Sequence, residues 1–160
     1  MKRRKRFALV IGVAAVGVMA LGAQTALAGG ESVDSTPPDL QLSGPKKQSP
    51  QNAGRCDQIV RACDVIVQVS CGGEACTARA TGKLTNVKMD KLDSFGPVDL
   101  APRAADKPYK IGPELAKEAQ RREVRKALTN GENVKAKVTV KGTDAAGNVA
   151  TAKRTITLVK

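Results

Sequence analysis

Val134-Lys135-Ala136-Lys137-Val138-Thr139-Val140-Lys141, close to the C-terminus, decides the fold, because apolar and polar side chains alternate without a break. A period of two puts one row of side chains in a core and the other in water, which is the signature of a half-buried β-strand. Asp144-Ala145-Ala146-Gly147-Asn148 supplies turn chemistry, and residues 149–159 return as a second strand. There Ala150, Ala152, Ile156 and Leu158 share one face, opposite Val149, Thr151, Lys153, Thr155 and Thr157. A one-residue slip would exchange the faces, so the alternation fixes the register. Arg154 falls in the apolar row and predicts either a bulge or a position beside an open sheet edge.

Working outward, residues 113–129 predict a helix. Pro113 suits a first turn, Glu114 the positive helix end, and Gly131 a stop just past Asn130. Leu115, Ala116, Ala119, Val124, Ala127 and Leu128 form its apolar stripe, with Lys117, Arg121, Arg122, Arg125 and Lys126 left to solvent. A basic helix can lie on a membrane, but a stripe built mostly of Ala favours packing on the end of a sheet. Tyr109 and Ile111 suggest a short strand before it. Residues 86–103 begin strand-like at Val87, Met89 and Leu92, and then Gly96-Pro97 and Pro102 predict irregular structure. Residues 76–84 and 64–70 read as strands, the latter with Val65, Val67 and Val69 on one face, joined by a turn at Gly72-Gly73. Residues 44–54 read as a polar loop punctuated by Pro45 and Pro50, and residues 39–43 as an edge strand after Pro37-Pro38. The fold class is therefore all-β with one helix, the helix (about 113–129) lying in the connection before the last hairpin.

The N-terminus has a separate reading. A basic start (residues 1–6), an apolar run (residues 7–23) and Ala26-Leu27-Ala28 form a secretory signal with cleavage expected after Ala28. The apolar run is shorter than the ~20 residues a spanning helix needs, so retention as a membrane anchor is the lesser reading. The expected organisation is a signal peptide at 1–28, a flexible leader at 29–38 and one domain at 39–160. Five of the 27 Lys/Arg lie in the signal; the other 22, against 15 Asp/Glu, leave +7 on the mature chain. Beyond the signal the aromatics are Phe95 and Tyr109, too few to stack bases, so specific nucleic-acid binding is not expected. Loose attraction to an anionic cell-wall polymer or membrane surface fits the charge better, and a generally solvated basic face is the preferred reading. The chain has no histidine, which removes the commonest general base and the usual partner of a nucleophilic Ser or Cys. The carboxylates are scattered singly, and no enzyme activity is expected.

Export makes the four cysteines candidates for two disulfides. Cys63 and Cys71 flank a strand that would separate them by roughly 26 Å at ~3.3 Å per residue, beyond the reach of a bridge, which also removes Cys56–Cys76. The preferred set is Cys71–Cys76 across a hairpin loop with Cys56–Cys63; the crossed set, Cys56–Cys71 with Cys63–Cys76, stays open. Zinc is disfavoured, because the cysteine spacings lack the short pairs of zinc ribbons.

Thr36-Pro37-Pro38, Val69-Ser70-Cys71-Gly72-Gly73-Glu74-Ala75-Cys76, Lys126-Ala127-Leu128 with Gly131, residues 134–140 and Asp144-Ala145-Ala146-Gly147-Asn148 recur in order over nearly all of the mature chain. In this arrangement the chain resembles bacterial immunoglobulin-like domains of secreted and surface proteins, particularly those of soil actinobacteria. The resemblance implies a seven-strand-type antiparallel β-sandwich. Its departures are the absence of the buried Trp of antibody-type domains and the added Cys56 and Cys63. In some surface-adhesin relatives acidic residues near this turn and the domain entry bind calcium, which would make Asp34, Asp39 and Asp144 the ligands here. The plainer reading has Asp144 bonding the amides of its own turn, with no metal or other cofactor. The expected function is a secreted, non-catalytic structural or adhesive module at or near the cell envelope, its partner an unidentified protein or cell-wall polymer. The alternative is a small secreted inhibitor or binder of an extracellular enzyme that presents a disulfide-closed loop.

Overall fold

The alternating C-terminal rows become the centre of a five-stranded sheet. In the computed structural model, which describes residues 34–50, 64–103, 107–115 and 117–160, β7 (Lys135–Thr143) and β8 (Val149–Leu158) pair antiparallel in unbroken register from Lys135 opposite Thr157 to Thr143 opposite Val149. Beyond β7 come β4 (Cys76–Leu84) and then β5 (Lys91–Leu100), both antiparallel. On the other side β2 (Lys47–Gln48) joins the end of β8 in parallel, so the order is β2-β8-β7-β4-β5. A second, antiparallel sheet is built from β1 (Gln41–Ser43), β3 (Val67–Ser70) and β6 (Tyr109–Ile111), with β3 in the middle. Helix α1 (Glu118–Thr129) lies in the connection from β6 to β7.

Both sheets contribute to one core. Ala78, Ala80, Ala136, Val138, Val140 and Ile156 from the larger sheet are buried with Val67, Val69 and Ile111 from the smaller. These side chains are small, and burying each Val or Ile contributes on the order of 1.5–3 kcal/mol. Large and small residues alternate where they meet. Gly82 stands opposite Leu92 in the ladder, and a Cβ there would come within 2.8 Å of a Leu92 methyl.

Several expectations need correction. The larger sheet is mixed rather than antiparallel, because residues 44–54 are not wholly loop: after Gly44-Pro45 the chain crosses from the smaller sheet and lays Lys47–Gln48 along β8. Gly72-Gly73 does not turn a hairpin, since β3 and β4 belong to different sheets. Gly96-Pro97, joined by a cis peptide, does not end the strand: β5 runs through it. Between Ala78 and Gly82, β5 twice sets three residues against two of β4, and the resulting bulges lie at a sheet edge that tolerates the missing Pro97 donor. The helix starts at Glu118 rather than at Pro113, because tertiary partners claim the preceding backbone. Glu114 exchanges N–H and C=O bonds with Asp93, and the Leu115 N–H donates to the Asp64 carboxylate at 2.8 Å. At the other end Gly131, at φ +78°, follows the last turn as expected. At Arg154 the open edge, not the bulge, is what the fold uses: β7 pairs there on one side, β2 does not reach it on the other, and the guanidinium crosses to the Leu42 carbonyl of β1 and the Gly44 carbonyl just after it.

The signal segment with its cleavage point after Ala28, the first part of the leader, and Cys56 and Cys63 lie outside the described residues. Among the described residues no helix is long and apolar enough to cross a membrane.

Candidate functional site

Three surfaces assemble residues that the sequence singles out. The first is formed around the β7–β8 turn. Asp144 Oδ1 accepts the Asn148 N–H at 2.8 Å, and the Asn148 side-chain amide donates both to Asp144 Oδ2 at 3.0 Å and to the Asp34 carbonyl at 2.9 Å. The domain entry is thereby fastened to the last hairpin. Carboxylate oxygens of Asp34, Glu74 and Asp144 come within 4.8 Å of one another. Asp39 stands apart from this group; its carboxylate accepts from the Gln41 amide at 2.8 Å. Glu74 is the member that sequence reasoning missed, and the signal that could have found it was its place between Cys71 and Cys76, on a connection the fold turns toward the 144–148 hairpin. Oxygens of this kind suit a hard cation, but calcium takes about 6–8 of them, and both Asp144 oxygens already accept bonds from Asn148. Asp144 thus works within its own turn, and the group closes the chain entry against the hairpin.

The second is the connection from β3 to β4. Cys71 and Cys76 are bonded, with Cα atoms 6.2 Å apart, and both are buried. The bridge ties the smaller sheet to the larger one and leaves neither sulfur as a thiolate for zinc. It closes a short loop in which Gly73 and Ala75 are exposed.

The third is the outward face of the larger sheet, where the polar rows of β4, β7 and β8 lie side by side. No Asp or Glu occurs anywhere in these three strands. Their inner rows are apolar except at Arg154, so all the other basic residues of the strands point outward.

On the remaining side, α1 is tied to the sheets by polar side chains. Its buried positions are Gln120, Val124 and Ala127, so the inward stripe passes through Gln120 and leaves Ala119 exposed. Gln120 Nε2 donates to the Met89 and Lys91 carbonyls at 2.8 and 3.0 Å. Arg121 lies 3.4 Å from Asp64, and Arg125 pairs with Glu118 at 2.7 Å. The basic side of the helix is therefore partly neutralised in place. Compared with protein-family models, curated proteins and solved structures, the chain matches none.

Proposed function

We propose that this chain is a secreted, non-catalytic immunoglobulin-like module that acts as a structural or adhesive element at or near the cell envelope. The observation that carries the reading is the bonded, buried Cys71–Cys76 pair joining two sheets of a small aliphatic core. Such bonds persist in oxidising compartments, and small exported domains use them where the core is modest. A signal-like start, the absence of histidine and the use of Asp144 within its own turn all support the same reading. The exposed loop closed by Cys71–Cys76 supports a second one, an inhibitor or binder of an extracellular enzyme, because a short rigid loop has little freedom to lose on binding.

The test is expression of the full chain in a secreting bacterium, followed by fractionation and intact mass under non-reducing conditions. Envelope-associated protein that lacks residues 1–28 and carries no reactive thiols is the expected result. Cytoplasmic, reduced protein of full mass would overturn the proposal. Release into the medium with one hydrolase bound would favour the inhibitor.

A further inference from the structure

We propose that the outward face of β4, β7 and β8 is a docking face for a linear polyanion of the cell envelope that carries a phosphodiester in each repeat. This deepens the adhesive reading above and rests on it for the partner's location.

The ladder places the basic residues in rows. Arg79 stands directly opposite Lys141, and Lys83 lies between Lys137 on one side and Lys91 on the other. Thr81, Thr139 and Lys153 make the row between them. Neighbouring strands are about 4.8 Å apart and successive outward residues about 6.6 Å apart, so these cations form a flat grid rather than a scatter. Like charges directly across a ladder destabilise a sheet. Opposite-sign or Thr–Thr pairs would serve folding better, yet three like-charge oppositions stand on this face, Arg79 with Lys141 and Lys83 with both Lys137 and Lys91. Among the described residues no ion pair relieves them. Acidic groups are absent from the three strands; they collect in the 34/74/144 group, on α1, and on β5, where Asp93 lines the edge of the groove and Asp99 accepts the Thr77 hydroxyl.

The chemistry of the grid selects its occupant. Five of the six outward cations named are lysines, compact charges that bind phosphate as points, and the fork of Arg79 can grip a phosphate through two donors. Threonine hydroxyls between them can donate to the second phosphate oxygen. An open groove lined by Arg79, Thr81, Lys83, Lys91, Lys137 and Thr139, with Asp93 as its one carboxylate against four cations, runs along this face and gives a flexible chain a path across the strands. The face contains no aromatic residue, so nothing there stacks bases, and a polymer without bases is favoured over nucleic acid.

The test titrates the full oxidised chain with synthetic poly(glycerol phosphate) and, in parallel, with polyglutamate, duplex DNA and anionic phospholipid vesicles. Salt-dependent binding that is tightest for the phosphodiester polymer is expected. Lys137→Gln/Lys141→Gln should weaken it about tenfold through two lost phosphate contacts, while thermal stability holds or rises because two of the three like-charge oppositions are relieved. Arg122→Gln/Lys126→Gln removes the same charge from α1 and should change affinity by less than about twofold. Equal weakening by the two pairs, tighter binding of any comparison ligand, or no binding by the unaltered chain would overturn the proposal. Polymer binding by a chain that proves cytoplasmic would leave the docking face standing and overturn the export reading alone.

Discussion

Gln48→Ala removes a side chain that stands in for a strand. The Ile66 N–H donates to Gln48 Oε1 at 2.9 Å, and Gln48 Nε2 donates back to the Ile66 carbonyl at 2.6 Å. The pair copies the reciprocal bonds of a β-ladder, and it joins the larger sheet, through β2, to the backbone leading into β3 of the smaller. Both partners are 7% exposed, so water is poorly placed to replace the lost amide. Truncation strands one backbone donor and one acceptor, each worth about 1–2 kcal/mol when left unmade in a buried place, for a loss of about 2–4 kcal/mol. At about 4 °C per kcal/mol for a domain of this size, the melting temperature should fall by about 8–16 °C. Urea unfolding at constant m-value gives the free energy, and hydrogen exchange at the Ile66 amide reports the specific contact. Gln48→Glu is the sharper variant. Its carboxylate can accept the Ile66 N–H but, once ionised, faces the Ile66 carbonyl with no proton to donate. Folding then favours the protonated form, so stability should recover as pH falls through the carboxylate range and be lost as pH rises. A Gln48→Ala loss below about 0.5 kcal/mol, or unchanged protection at Ile66, would refute the reasoning.

Three further perturbations test other joints. A Cβ at Gly112 would sit 1.7 Å from the Val65 carbonyl oxygen, whereas one at Gly73 meets nothing within 4 Å. Gly112→Ala should therefore force β6 from β3 and lose about 3 kcal/mol or more, with Gly73→Ala nearly neutral in the same melt. Asp64→Ala strands the Leu115 N–H and should lose about 2 kcal/mol by denaturant titration; Asp64→Asn keeps an acceptor and should lose less than half of that, because the partly exposed Arg121 contributes little. Replacing Cys71 and Cys76 together with Ser opens a loop of sequence separation 5, and oxidised wild type should exceed the variant by about 2 kcal/mol, a gap that closes under reductant.

What was legible in the sequence was what a local period can encode. Val134 to Val140, the return through Ile156 and Leu158, and Cys76–Leu84 each write one apolar row into one sheet, and each lies where the alternation puts it. The misses share a different physics. Lys47–Gln48 has no apolar row, because its contribution to the core boundary is an amide. β5 passes Gly96-Pro97 because an edge strand needs donors on one side only, and edge position is a property of the assembled sheet. Pro113 and Glu114 satisfy every local rule for a helix start, yet Asp93 and Asp64, remote in sequence, bind that backbone first. The acidic group was half legible: the resemblance to surface adhesins implies Asp34, Asp39 and Asp144, of which Asp34 and Asp144 come together, whereas Glu74 arrives only through a connection that changes sheets.

These misses converge on how a mainly aliphatic core, with Val and Ala along its sheet rows, is held together. Small side chains bury little area each, and beyond the signal the chain has two aromatic residues to add more. The sheets are instead pinned at their margins by polar side chains bonded to distant backbone: Gln48 to Ile66, Asp64 to Leu115, Gln120 to Met89 and Lys91, Arg154 to Leu42 and Gly44. Each pin satisfies a backbone group at a place where a ladder ends, so the same bonds that close the core also terminate its strands. With stability drawn from the margins, the outward face of β4, β7 and β8 is released from any part in holding the sheets together. That release lets one sheet carry Arg79 against Lys141 and Lys83 against Lys137, an arrangement that folding alone does not favour and that an anionic partner would.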